Sequence, residues 1–88
     1  MKSKAMDISA LKGEELFYHL THNVNDEVSS LVALLPYAIM NRGEALLFLE
    51  DMVKNGKTLM AIYPGNGDVV PKNAELVGAI PDGALYVK

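Results

Sequence analysis

The apolar positions in the first part of the chain recur at the spacing of an α-helix in three stretches. The first covers residues 13–22, "GEELFYHLTH", in which two glutamates follow the opening glycine. Carboxylates at that position are favoured by the partial positive charge of a helix N-terminus. The second stretch follows Asn25, a residue type that caps helices well, and the third covers residues 44–55. The pattern predicts three helices, the last of which ends at a left-handed Gly56.

The second helical stretch contains no charged residue between positions 28 and 40, and we term residues 28–40 the uncharged segment. Its outward positions are small or weakly polar: Ser29, Ser30, Ala33, Tyr37 and Met40. A surface helix normally carries charge on its outer face, so we expect the uncharged segment to be covered on most sides. Pro36 lacks a backbone donor and clashes with the preceding turn. It predicts either a kinked helix or a helix that ends near residue 34.

After Gly56, β-prone runs separated by turn-forming residues replace the helical pattern. The runs are residues 58–63, 74–80 and 84–88. The motif "PDG", from Pro81 to Gly83, joins the last two as a tight hairpin with Gly83 at positive φ. The first run is apolar on both faces, which indicates a central strand or a face that meets another chain. The sequence predicts an α+β fold, with three helices followed by a small three-stranded antiparallel sheet.

The chain length of 88 residues is that of one domain, and we expect a single α+β domain over residues 7–88 behind a flexible tail of residues 1–6. Half of the residues are apolar, which argues against disorder and leaves apolar surface for a partner. The longest uncharged apolar run, residues 31–40, is too short for a membrane span of about 20 residues. Residues 1–15 contain no apolar signal segment. We therefore predict a soluble, cytoplasmic protein without membrane association.

The charge and the residue types present argue against several classes of function. A net charge of −3 with eight basic residues leaves no basic stripe for a phosphate backbone, which argues against nucleic acid as a partner. The absence of cysteine removes disulfides, thiolate metal sites and a cysteine nucleophile. Adjacent carboxylates such as Glu14 and Glu15 diverge on a helix, and Ser29 and Ser30 lie on a different predicted helix from both histidines. The sequence predicts a protein that is not an enzyme and holds no cofactor.

A candidate metal or small-ligand site lies on the first predicted helix. Glu15, His19 and His22 fall within roughly 60° of one another on a helix, and zinc accepts all three side chains as ligands. No further histidine completes a closed site, so the simpler interpretation is a solvated helix edge. We therefore predict no metal site and keep these three residues, or a cleft beside Tyr18, as an alternative.

The leading functional hypothesis is a small interaction module that self-associates, with a dimer favoured, or that binds a larger protein. The uncharged segment, the apolar excess and the two-faced strand support it. Aromatic residues and methionine are enriched at the centres of interfaces, so the candidate contact residues are Tyr37, Met40, Leu47 and Tyr63.

A second alternative is a winged-helix-like DNA-binding regulator, because three helices followed by a hairpin is a suitable order of elements. The third helix would have to enter the major groove. Its polar face carries Glu44, Glu50 and Asp51 against Lys54, and these carboxylates would repel phosphate. This charge pattern makes DNA binding the weaker hypothesis.

Overall fold

The structure, a computed structural model, describes residues 10–88. Its α-helices and strands in chain order are α1 (Gly13–His22), α2 (Asp26–Ala33), α3 (Leu35–Ala38), α4 (Arg42–Lys54), β1 (Leu59–Ile62), β2 (Glu75–Ile80) and β3 (Gly83–Val87), with a short 3-10 helix (Pro64–Asn66) after β1. The helices α2 and α3 are two parts of the second predicted helix. The described residues therefore form three helical units followed by a three-stranded antiparallel sheet, which confirms the predicted α+β fold. The predicted tail, residues 1–6, and the expected start of the domain at residue 7 lie outside the described residues.

Side-chain caps fix where α2 and α4 begin. The Oδ1 atom of Asn25 accepts a hydrogen bond of 2.9 Å from the Val28 amide, as expected of an N-cap. Asn41 does the same for the Glu44 amide at 3.0 Å, so α4 begins at Arg42, two residues earlier than predicted. The two asparagines thus mark the first residues of α2 and α4.

Two backbone features interrupt or end the helices. Pro36 lies in the first turn of α3, where its missing amide hydrogen would have no partner within the helix. Leu34 separates α2 from α3, so the break falls where the sequence places it. Gly56 follows α4 with φ of 65°, the left-handed conformation predicted for it.

The strand order in the sheet is β1-β3-β2, so the central strand is β3. Its Tyr86 pairs with Met60 on one side and with Leu76 on the other. Of the two alternatives given for the first strand, the central strand is therefore wrong, because β1 is an edge strand, and a face that meets another chain stays a prediction. A hairpin motif establishes that β2 and β3 are neighbours, but it does not show on which side β1 joins them.

The hairpin between β2 and β3 differs from the prediction at one residue. Gly83 is not at positive φ; the left-handed residue is Asp82, with φ of 66°. Pro81 occupies the preceding corner, and a turn with proline at its second position can place its left-handed residue third. Gly83 is needed for a different reason, since a Cβ atom there would lie 2.3 Å from the Ile62 carbonyl oxygen. The glycine permits the close approach of β1 and β3.

The helices pack on one face of the sheet through a shared core. The fully buried side chains are Leu16, Val32, Leu35, Leu49 and Leu85. Leu59 and Val87, which pair across β1 and β3, are also buried in this core. Within residues 10–88, no helix has the length and apolar character needed to cross a membrane.

Candidate interaction surface

The uncharged segment is buried on its inner side and exposed on its outer side. Val32 and Leu35 expose 1% and 0% of their surface. The exposed residues of the segment are Ser30, Ala33, Pro36, Tyr37 and Met40. The expectation that the segment is covered on most sides is therefore wrong for a single chain, because α2 and α3 form the outermost layer there. An uncharged surface remains open.

The four candidate contact residues lie in three places. Tyr37 and Met40 are both on the outer side of the uncharged segment, with 60% and 89% of their surface exposed. Leu47 is exposed on α4, opposite the buried Ala45 and Leu49. Tyr63 follows β1 and is half-buried against the core. The structure therefore assigns Tyr37 and Met40 to one surface, and Leu47 and Tyr63 to two other places.

A groove that sequence analysis did not find runs between α2 and β1. Its helical wall carries Glu27, Ser30, Leu31 and Leu34, and its other wall carries residues 58–61 and Tyr63. The volume of the groove is about 390 Å³. We term it the strand-edge groove. No sequence pattern could reveal it, because it depends on α2 lying beside β1 at the edge of the sheet.

The backbone of β1 defines which groups reach the open edge. Thr58 and Lys88 exchange two hydrogen bonds, of 2.9 and 3.0 Å, so the two residues form a hydrogen-bonded pair. Such pairs alternate along antiparallel strands, so Met60 and Ile62 also bond to β3. Leu59 and Ala61 then direct their N–H and C=O groups away from β3. None of the described residues supplies a hydrogen-bond partner for these four groups.

The open edge ends at Tyr63. Its amide donates to the Oδ2 atom of Asp68 at 2.9 Å, and its carbonyl oxygen accepts from the Asn66 amide at 2.8 Å. The turn after β1 thus satisfies the next outward-facing residue. The stretch that can pair with another strand is confined to Leu59 and Ala61, and both residues line the strand-edge groove.

The three candidate ligands on α1 do not converge on one point. The Nδ1 atom of His22 lies 3.0 Å from the Tyr18 carbonyl oxygen, and its ring stacks on the Tyr18 ring with centroids 4.0 Å apart. His19 instead contacts Asn23, at 3.3 Å from Nδ1 to Nδ2. Among residues 10–88, no three histidine or carboxylate side chains are grouped as a metal site requires.

A hollow of about 340 Å³ does lie beside Tyr18. It contains Glu15 and His19 but not His22. Glu14, which also lines it, is bonded to Arg42 through Oε2 and Nε at 2.9 Å. The guanidinium lowers the pKa of this carboxyl below its ordinary value, and the carboxylate raises the pKa of Arg42. The hollow is therefore a shallow depression on a helix edge, in which Glu14 is already paired with Arg42 and Glu15 forms no ion pair with a described residue.

The outer face of α4 carries the charges that the DNA-binding hypothesis has to accommodate. Glu44, Asp51 and Lys54 are exposed there, together with Leu47. The arginine that begins the helix is held by Glu14 and lies over the Phe17 ring, with Cζ 4.6 Å from its centroid. Two of the three carboxylates predicted to repel phosphate, Glu44 and Asp51, are thus exposed, whereas Glu50 is half-buried.

Glu50 has a role that the sequence did not reveal. It was placed on the polar face of the third predicted helix, but its Oε2 atom accepts a 2.7 Å hydrogen bond from the Gly13 amide. The residue before Gly13, Lys12, provides no side-chain cap for α1. A carboxylate from α4 therefore satisfies the N-terminus of α1 and ties the two helices together.

Comparison with known proteins gives no relative for this arrangement. No family model, no curated protein and no solved structure matches the chain at a significant level.

Proposed function

We propose that the protein is a small, non-enzymatic interaction module that binds another protein molecule through the outer side of the uncharged segment. The observation that supports this most directly is the exposure of Tyr37 and Met40, at 60% and 89%, on a surface without charge. Tyrosine and methionine are enriched at the centres of interfaces, and charged residues are depleted there. The partner is a second copy of the chain or a larger protein. A cytoplasmic location is part of the same proposal and rests on the composition.

The energetics of such a surface favour association. Burying a large apolar side chain contributes about 1.5–3 kcal/mol. The uncharged segment itself contributes no ion that must leave water on docking, which avoids the large cost of desolvating an unpaired charge at these positions. Among self-associated forms we favour a dimer, because twofold symmetry is the commonest arrangement of identical chains.

Self-association is tested by sedimentation of the full chain over a range of concentrations. We expect dimers whose dissociation constant rises at least about tenfold in Met40→Lys, because the substitution places a charge at the centre of the contact. The control is Val69→Lys, since Val69 is 81% exposed and lies outside the uncharged segment. A monomer at every concentration would exclude self-association, and a larger protein would then be the remaining partner in the proposal.

The larger partner is tested with a photo-reactive amino acid placed at position 40 or at position 69 in cells that make the protein. We expect adducts of defined mass from position 40 and none of the same mass from position 69. Both residues are strongly exposed, at 89% and 81%, so the comparison controls for accessibility. Monomeric protein that also gives no specific adduct from position 40 would refute the proposed function.

A further inference from the structure

The strand-edge groove combines two features that extended peptides use. Its strand wall presents the outward N–H and C=O groups of Leu59 and Ala61, which an added strand can pair with. Its helical wall offers Leu31 and Leu34, which can receive every second side chain of such a strand. A free edge beside a helix therefore fits an extended segment better than it fits a helix or a small molecule.

The charge of the groove indicates what the segment carries. Glu27 lines the groove in the first turn of α2, is exposed, and forms no ion pair with any described residue. Lys57, which directly precedes residues 58–61 of the groove, does not line it and already contacts Glu75 at 3.7 Å. The uncompensated charge of the groove is thus negative. A lysine or arginine on the incoming segment would complement it.

We propose that the strand-edge groove binds an extended segment of a partner protein that adds to β1 as a fourth strand. The segment carries apolar residues at alternate positions and a basic residue that meets Glu27. This inference rests on the proposed function and names the chemistry of the partner. A second copy fits less well, because the stretch of β1 that would enter the groove, residues 58–63, carries no basic residue.

The experiment is a selection of random-sequence peptides displayed on phage against the full chain and two proline variants. Ala61→Pro removes an amide that points to the open edge, where proline is tolerated in a strand. Ala79→Pro is the matched control: Ala79 pairs with Ala84 of β3 and directs its amide to the opposite edge of the sheet. Circular dichroism and thermal unfolding of both variants verify that they fold.

We expect enriched peptides with alternating apolar residues and a lysine or arginine. Their dissociation constants should rise at least about tenfold with Ala61→Pro and by less than about twofold with Ala79→Pro. No enrichment over an unrelated protein, or equal binding to all three chains, would overturn the inference.

A charge reversal provides a readout that does not depend on the proline variants. Glu27→Lys should change the selected charge from basic to acidic. Asp26→Lys is its matched control, because both residues lie in the first turn of α2 and only Glu27 lines the groove. An unchanged preference with Glu27→Lys, or the same change with Asp26→Lys, would overturn the inference.

Two results separate this inference from the proposed function. If position 40 still gives its specific adduct while the peptide results fail, the interaction module stands and strand addition does not. If the protein forms dimers that Ala61→Pro abolishes, a second copy occupies the groove, and the proposal of a basic segment from another protein is overturned.

Discussion

The helix α4 and the uncharged segment are alike on their inner sides and differ on their outer sides. Leu49 of α4 and Leu35 of the segment are both completely buried. Outside, α4 exposes Glu44, Asp51 and Lys54, whereas the segment exposes no charge. The two also differ in how they are held: charged groups tie α4 to α1, and close apolar packing holds the segment to the sheet. Both elements are therefore anchored equally in the core, but only α4 carries the exposed charges that are typical of a surface in contact with water.

The largest effect should come from truncating the shared core. We expect Leu35→Ala and Leu49→Ala each to lower the free energy of unfolding by about 3 kcal/mol, because both side chains are fully buried. Urea denaturation measures this. Leu47→Ala, at a position 65% exposed on α4, should change stability by less than about 0.5 kcal/mol. A much smaller loss for Leu35→Ala than for Leu49→Ala would contradict the equality of the two inner sides.

The next effect concerns the contact that holds the uncharged segment to the sheet. A Cβ atom at Gly78 would lie 2.3 Å from the backbone oxygen of Ala38. Gly78→Ala must therefore move α3 away from β2, and we expect a loss of about 2 kcal/mol in thermal or urea unfolding. In Gly65→Ala the new atom meets nothing within 4 Å. Equal stability of the two variants would show that the segment is held loosely.

A smaller effect should follow from weakening the tie between α4 and α1. Glu50→Gln keeps an acceptor for the Gly13 amide but removes the charge, so we expect a loss of about 1 kcal/mol. Glu44→Gln serves as control on the same helix and should cost a few tenths of a kcal/mol, from the helix dipole alone. Amide exchange at Gly13 should quicken only in Glu50→Gln. Similar losses in both variants would remove the special role of Glu50.

The smallest effect is a dependence on pH at the exposed Glu14–Arg42 pair. Arg42 lowers the pKa of Glu14 in the folded chain relative to the unfolded value of about 4.3. The carboxylate therefore stabilises the fold above that value, and this contribution is lost as the pH falls through the lower folded pKa. The Glu14→Gln variant should have a lower free energy of unfolding than the unsubstituted chain at neutral pH, and this difference should shrink as the pH falls below about 4.3. A difference in unfolding free energy that does not change with pH would contradict the pairing of Glu14 with Arg42.

Much of the helical part could be predicted because its signals are local. Asn25 and Gly56 mark one helix start and one helix end by their own chemistry, and Pro36 marks the break. Leu47 was recognisable as an apolar residue among charges, and it is exposed.

What could not be predicted depends on groups distant in sequence. Glu50 caps a helix 37 residues away, and β1 joins β3 on the side opposite β2. The prediction for the turn between β2 and β3 was wrong for a related reason. Gly83 was expected to supply conformational freedom, and it supplies space for the Ile62 carbonyl. The strand-edge groove follows from the position of β1 and was therefore missed with it.

The shortness of β1 limits the residence time of any segment that adds to it as a strand. With Tyr63 satisfied by its own turn, only two residues can bond across the edge, and each hydrogen bond contributes about 1 kcal/mol net. A complex held by so few hydrogen bonds should dissociate quickly, since differences in affinity between related complexes lie mainly in the dissociation rate. If strand addition to β1 is the mode of binding, the complex would be short-lived, and a long-lived complex would need further contacts elsewhere on the surface of the protein.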